Sequence, residues 1–227
     1  MRIEKLKTEY NVKVEWVHFP LHPETPPEGR ALAALFGGRE ADRRARHEEM
    51  KARMTAEGLP YGERTMTYNS RLAQELGKWA DTQPGGEALH DALFRAYFVE
   101  ARDISQPAVL LDIAEKVGLS VAAACEVLDQ RTFRDAVDAD WKLSRQYGIT
   151  GVPTFVVGRH GVVGAQPYEV LEQLVRKAPS QEAHIADRTR PPAIPDLVVQ
   201  PANPAGKPGG GGSAVGEAET LVPAPEP

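Results

Sequence analysis

The stretch Tyr147–Gly158, YGITGVPTFVVG, decides how this 227-residue chain is read. Gly148 is placed to stop a helix that runs from about Phe133 to Tyr147. Val152-Pro153 then precedes Thr154–Val157, a β-branched and aromatic run that reads as a strand. A proline opens a strand only where no ladder donor is needed. A turn over Gly158–Gly161 leads into Val162 and Val163, which makes a hairpin. Tyr168–Lys177 closes the block as an amphipathic helix carrying Val170, Leu171, Leu174 and Val175.

Upstream of this block, residues 28–146 read as helical almost throughout. Leu32, Leu35 and Phe36 begin the region, and Met50 and Met54 stand at i, i+4 spacing in the Arg/Glu-rich stretch 39–56. Ser70 is expected to cap a helix carrying Leu72, Leu76 and Trp79. Leu89, Leu93, Phe94, Tyr97 and Phe98 form a stripe that reads as core rather than cofactor box. Val109–Val117 and Val121–Leu128 are two short helices, separated by Gly118, with Ser120 as the second cap. At the N-terminus, a helix over Ile3–Tyr10 precedes alternating Val12, Val14, Trp16 and Phe19, which have strand periodicity. Pro20, Pro23, Pro26 and Pro27 end that strand. The domain order is therefore 1–27 helix and strand, 28–146 helical insertion, and 147–178 hairpin and helix.

Residues 179–227 differ in composition. They hold ten of the nineteen prolines and the Gly209–Gly212 run, with six acidic and three basic side chains. So little apolar surface cannot offset the entropy of ordering, and a disordered tail is expected. Over the whole chain the net charge of −5 argues against a nucleic-acid partner. No run approaches the roughly 18 apolar residues of a membrane span, and the charged start MRIEKLKTEYN has no signal-peptide core. A cytoplasmic protein without membrane contact is expected. The single Cys125 excludes an internal disulfide, a cysteine-rich zinc site and an internal C-x-x-C pair within these residues.

The segments HFPLHPETPPEG (18–29), NSRLAQELGKWA (69–80), LFRAYFVEARDI (93–104), YGITGVPTFVVG and GVVGAQPYEVL (161–171) resemble, in order, the DsbA-like thioredoxin family, with the FrnE-like branch nearest. The resemblance implies an α/β fold, a thioredoxin-like sheet with an α-helical domain inserted between its halves. It also implies a cis Val152–Pro153 bond whose neighbouring backbone pairs with extended substrate. The implied activity is thiol–disulfide exchange on a cysteine-containing protein or small thiol, with no cofactor and no metal. Gly151, Val152 and Pro153 are the substrate dock on this reading, with His22 and Asn69 as further substrate-facing candidates.

One departure bears on function. The family's first strand and its C-x-x-C would precede the Ile3–Tyr10 helix and are not in these residues. Exchange needs a low-pKa thiolate and a second, resolving thiol. Cys125, read as a buried inert thiol in an Ala-rich helix, cannot substitute, so no catalytic residue is assigned. The absent strand would lie between the Val12–Phe19 and Pro153–Val157 strands, so a vacancy in the sheet is expected. A start about 20–25 residues upstream is the simplest account of it. Two other classes share the fold: a glutathione-dependent isomerase of the 2-hydroxychromene-2-carboxylate type, and a non-catalytic binding module.

Other features read as structural. His18 and His22 have H-x-x-x-H spacing, but Pro20 and Pro23 prevent the helix that would align them on a metal. Asn69 and Ser70 together suit a helix cap. Arg43, Arg44 and Arg46 alternate with acidic residues and read as a solvated helix face.

Overall fold

The computed structural model describes residues 2–35, 37, 39–177 and 198–199. In chain order the elements are α1 (Arg2–Tyr10), β1 (Glu15–Trp16), β2 (Arg30–Ala31), α2 (Leu32–Leu35), α3 (Glu40–Ala56), β3 (Met66–Thr67), α4 (Arg71–Ala80), α5 (Ala88–Phe98), α6 (Pro107–Lys116), α7 (Val121–Gln130), α8 (Arg134–Gln146), β4 (Thr154–Val157), β5 (His160–Val163), α9 (Tyr168–Arg176) and β6 (Val198–Val199). They group into two units, one from Met1–Leu21 with Asp140–Pro227, the other from His22–Ala139.

The first unit is built on a sheet of order β1-β6-β4-β5. The β4–β5 hairpin pairs Thr154 with Val163 through Val157 with His160. All four residues of β4 are buried. Side chains alternate across a strand, and β4 shows it directly. Phe155 and Val157 enter a core with Leu6 of α1 and Leu171, Leu174 and Val175 of α9, whereas Val156 packs with Val17, Leu143, Tyr147 and Ile149 on the other face. Helices α1 and α9 are tied together by Tyr10 donating to Glu172 at 2.5 Å, by Tyr168 donating to Glu9, and by Lys5 lying 3.9 Å from the Tyr168 ring centre.

Strand β1 is shorter than the Val12–Phe19 run suggested. Its ladder partner among the described residues is β6, which offers two residues, Val198 opposite Glu15 and Val199 opposite Trp16. Just beyond it the backbone leaves the ladder: the His18 N–H donates to Asp140 Oδ2 at 2.9 Å, and Ser144 Oγ donates to the His18 carbonyl at 3.4 Å. The sheet position between β1 and β4, expected to be vacant, is filled by β6. That expectation and the expectation of disorder for 179–227 both need correction at Val198–Val199. The remainder of 179–227 lies outside the described residues, as does Phe36.

The second unit is helical around Leu76, Trp79, Leu89, Ala96, Leu110, Ile113, Ala124 and Leu128, all buried. The Leu89–Phe98 stripe belongs to this core, with Leu89 and Tyr97 buried and Leu93 and Phe98 packed against them. The Pro-rich turn belongs to this unit rather than to the sheet, because Asn69 Nδ2 donates to the Thr25 carbonyl at 2.9 Å. A short antiparallel ladder, Arg30 with Thr67 and Ala31 with Met66, interrupts the region read as helical almost throughout. Two residues on each side are too few to leave a periodic pattern.

Three local readings change. At the start of α4 it is Asn69 Oδ1, not Ser70, that accepts a backbone donor, the Arg71 N–H at 2.9 Å, while Ser70 Oγ accepts from Gln74 Nε2 at 3.1 Å. Arg43 is 6% exposed rather than solvated. It is turned inward by Glu40 at 2.6 Å and by the Arg64 carbonyl at 3.2 Å. Cys125 is half-buried, not buried. The Ser120 cap is present, with the Ala123 N–H donating to its hydroxyl at 3.3 Å.

Candidate functional site

The loop Gly151–Pro153 enters β4 from a region fixed on both sides. The Val152–Pro153 peptide bond is cis. Thr154, itself buried, donates its hydroxyl proton to the Gly151 carbonyl at 2.7 Å. The Gly164 N–H donates to the Pro153 carbonyl at 2.7 Å, which extends the hairpin register by one step. Val152, between these two anchors, is half-buried. Among the described residues neither its N–H nor its carbonyl is hydrogen-bonded. A Cβ built at Gly151 meets nothing within 4 Å, so open space borders the loop. One residue thus offers a free donor and a free acceptor on a rigid mount, which is what an added extended segment pairs with.

His22 and Asn69, the other predicted site residues, lie in the helical unit and are brought together there. The Thr25 N–H donates to the His22 carbonyl at 3.2 Å, and Asn69 holds the Thr25 carbonyl. Both ends of the Asn69 amide are therefore engaged. His22 is half-buried, with Nδ1 3.6 Å from Glu24 and a buried Nε2 that has no hydrogen-bond partner among the described residues. His18 falls in the other unit.

Sequence reading missed a buried ionic cluster in the helical unit. Glu75 has 0% exposure. Arg131 grips both its oxygens, at 2.6 and 2.7 Å, and Arg71 adds a third bond at 2.7 Å. Arg71 also reaches Asp138 at 2.7 Å. Burial by itself would raise the Glu75 pKa, but the hydrogen bonds from Arg131 and Arg71 outweigh it, and the carboxyl sits below its usual value. An acidic residue at i+4 from Arg71 was the one legible signal. The αL conformation of Arg131, which aims its side chain back, was not.

The surroundings of Cys125 disfavour a thiolate. Its thiol donates to Asp129 Oδ2 at 3.5 Å, one helical turn along, and that bond and the Asp129 charge raise its pKa. A reactive cysteine needs the opposite surroundings.

A family model described as a DSBA-like thioredoxin domain matches residues 1–176. Among solved structures, a probable DsbA oxidoreductase from Streptomyces coelicolor superposes with a TM-score of 0.69 at 29% identity, covering 85% of this chain and 86% of its own. A 2-hydroxychromene-2-carboxylate isomerase superposes with a TM-score of 0.57 at 19% identity, over 82% of this chain and 91% of its own, a likeness of fold. An uncharacterized protein of Bacillus subtilis, YwbO, is 31% identical over 105 residues, 46% of this chain. The chain spans about half (52%) of the length of that relative. The fold is thus the thioredoxin-like one with a helical insertion that the sequence suggested.

Proposed function

The chain belongs to the DSBA-like thioredoxin family, and from that premise we propose that it serves thiol–disulfide exchange in the cytoplasm, in the FrnE-like branch. On this reading Gly151–Pro153 docks an extended cysteine-containing polypeptide or a small thiol. The observation that carries the reading is the open donor and acceptor of Val152 between two hydrogen-bonded neighbours. A substrate strand laid antiparallel to Val152 gains two main-chain bonds and leaves its side chains to the surroundings. His22 and Asn69 are substrate-facing candidates from the helical unit. One cysteine in 227 residues suits a reducing compartment.

The chemical step requires a low-pKa thiolate and a resolving thiol. Cys125 supplies neither; the part assigned to Gly151–Pro153 is to bind and orient the substrate. A second reading is a binding module on this fold that captures extended segments without exchanging disulfides. The two readings share the dock and differ in the reaction.

Fluorescence anisotropy with a short labelled peptide carrying one central cysteine tests the dock. Replacing Val152 by Pro removes its N–H, and a lost main-chain bond of about 1 kcal/mol weakens binding roughly fivefold. Unchanged affinity in Val152→Pro, with the fold intact by circular dichroism, removes the proposal. With Cys125→Ala these residues hold no thiol, so insulin reduction should not exceed the uncatalysed rate; turnover that does would contradict a thiol-based reaction.

A further inference from the structure

Helix α3 carries basic side chains at i, i+4 and i+8, namely Arg43, His47 and Lys51, which share one face. With Arg44 and Glu48 from the adjoining row, and Tyr61 and Glu63 from the segment after the helix, they line a cleft of about 320 Å³. An apolar cavity of roughly 150 Å³ holds one benzene, so this cleft has room for a ring with a polar substituent. All of these residues belong to the helical unit.

One part of the lining is fixed. Arg43 is buried and its guanidinium is engaged by Glu40 at 2.6 Å, by the Arg64 carbonyl at 3.2 Å and by Glu63 at 3.4 Å. The rings of His47 and Tyr61, with centres 5.4 Å apart and planes tilted by 32°, supply aromatic surface. The other polar groups are unengaged. Among the described residues the Lys51 ammonium, the Glu48 carboxylate, the Tyr61 hydroxyl and the His47 ring nitrogens have no hydrogen bond or ion pair, and Arg44 reaches only Glu40, at 3.5 Å. Open donors therefore outnumber open acceptors, and two of them are permanently charged.

A carboxylate accepts from such donors in charge-assisted bonds, and an aromatic body covers ring surface better than a chain does. Charge limits the choice further. Arg43, Arg44 and Lys51 face Glu48 and Glu63, which leaves the lining at +1 with His47 neutral. That balance suits a monoanion, and the two carboxylates repel a dianion. We propose that the α3 cleft binds a small aromatic monocarboxylate, with its carboxylate on Arg44 and Lys51 and its ring against His47 and Tyr61. This does not rest on the dock at Val152, which lies in the other unit.

The test titrates the full ¹⁵N-labelled chain with benzoate into the millimolar range, at constant ionic strength, and follows the amides by NMR. Saturable shifts are expected at residues 43–51 and 61–63. Benzamide, of the same shape without the charge, should bind at least about tenfold more weakly, and inorganic phosphate should give no saturable shift there. Arg44→Gln/Lys51→Gln alters two exposed side chains and should weaken benzoate at least about tenfold. Arg53→Gln removes a cation of the same helix that does not line the cleft, and should leave the affinity unchanged. Shifts that stay linear with benzoate, or that scatter over the chain, overturn the proposal. So do benzamide or phosphate binding as tightly as benzoate, an unchanged affinity in the double variant, or an equal loss in Arg53→Gln.

Discussion

Replacing Glu75 with Gln tests the energetics of the helical unit at its most buried charge. Glu75 has 0% exposure and takes three bonds from two guanidinium groups, at 2.6, 2.7 and 2.7 Å. The variant keeps the shape but removes the buried charge shared by Arg131 and Arg71, of which Arg71 still faces Asp138 at 2.7 Å. Breaking a buried pair from one side costs about 3–5 kcal/mol. Arg131 is 42% exposed and Arg71 17%, so water recovers part of that. We expect a loss of about 2–3 kcal/mol at pH 7, a fall in Tm of roughly 5–10 °C for a protein of this size. Urea titration followed by circular dichroism and by the fluorescence of buried Trp79 measures it. The pH arm fixes the cause. The folded carboxyl titrates below the usual 4.5, so its stabilisation is complete above that value. It is lost as pH falls through the lower, folded value. The wild type should lose its margin over Glu75→Gln in that acid window. A loss under about 0.5 kcal/mol at pH 7, or parallel acid profiles, would refute the reasoning.

Other substitutions probe single features. Cys125 should alkylate with iodoacetamide at pH 8 more slowly than a free thiol, and Asp129→Asn should accelerate it several-fold by removing the carboxylate that raises its pKa; equal rates contradict this. The buried Tyr147 hydroxyl has no hydrogen-bond partner among the described residues. Tyr147→Phe should therefore stabilise by about 1 kcal/mol in urea titration. Gly86→Ala places a methyl 1.8 Å from the Ala80 carbonyl oxygen; it should cost at least about 2 kcal/mol, overpacking against backbone that cannot turn aside.

Local chemistry was readable where the partners are near in sequence. The β4–β5 hairpin was visible because β-branched runs flank one short turn, and α4 and α5 because Leu76, Trp79, Leu89 and Tyr97 repeat at helical spacing. At the start of α4 the pair Asn69 and Ser70 was legible as a cap, but that Asn69 takes the backbone donor goes with its tie to Thr25, 44 residues away. The extent of β1 could not be read from Val12–Phe19, since strand length is set by the neighbour, here two residues of a distant segment. Composition hid β6 for the same reason: two valines among prolines carry no periodicity. Arg43 was read from its exposed neighbours, whereas its inward turn depends on Glu63 and on the Arg64 carbonyl. The dock at Val152 was legible as a motif, but its open groups become visible only once Gly151 and Pro153 are seen to be satisfied.

The most direct test of the account is the exchange rate of one backbone amide. Uniformly labelled protein, with Cys125 replaced by Ser to prevent side reactions, is titrated with the unlabelled cysteine-containing peptide while amide exchange is followed by NMR. The account predicts that the Val152 N–H, open in the free protein, slows by about the fraction of protein bound and shifts downfield as it acquires an acceptor. Saturable binding that leaves the Val152 amide exchanging at its free rate would contradict it.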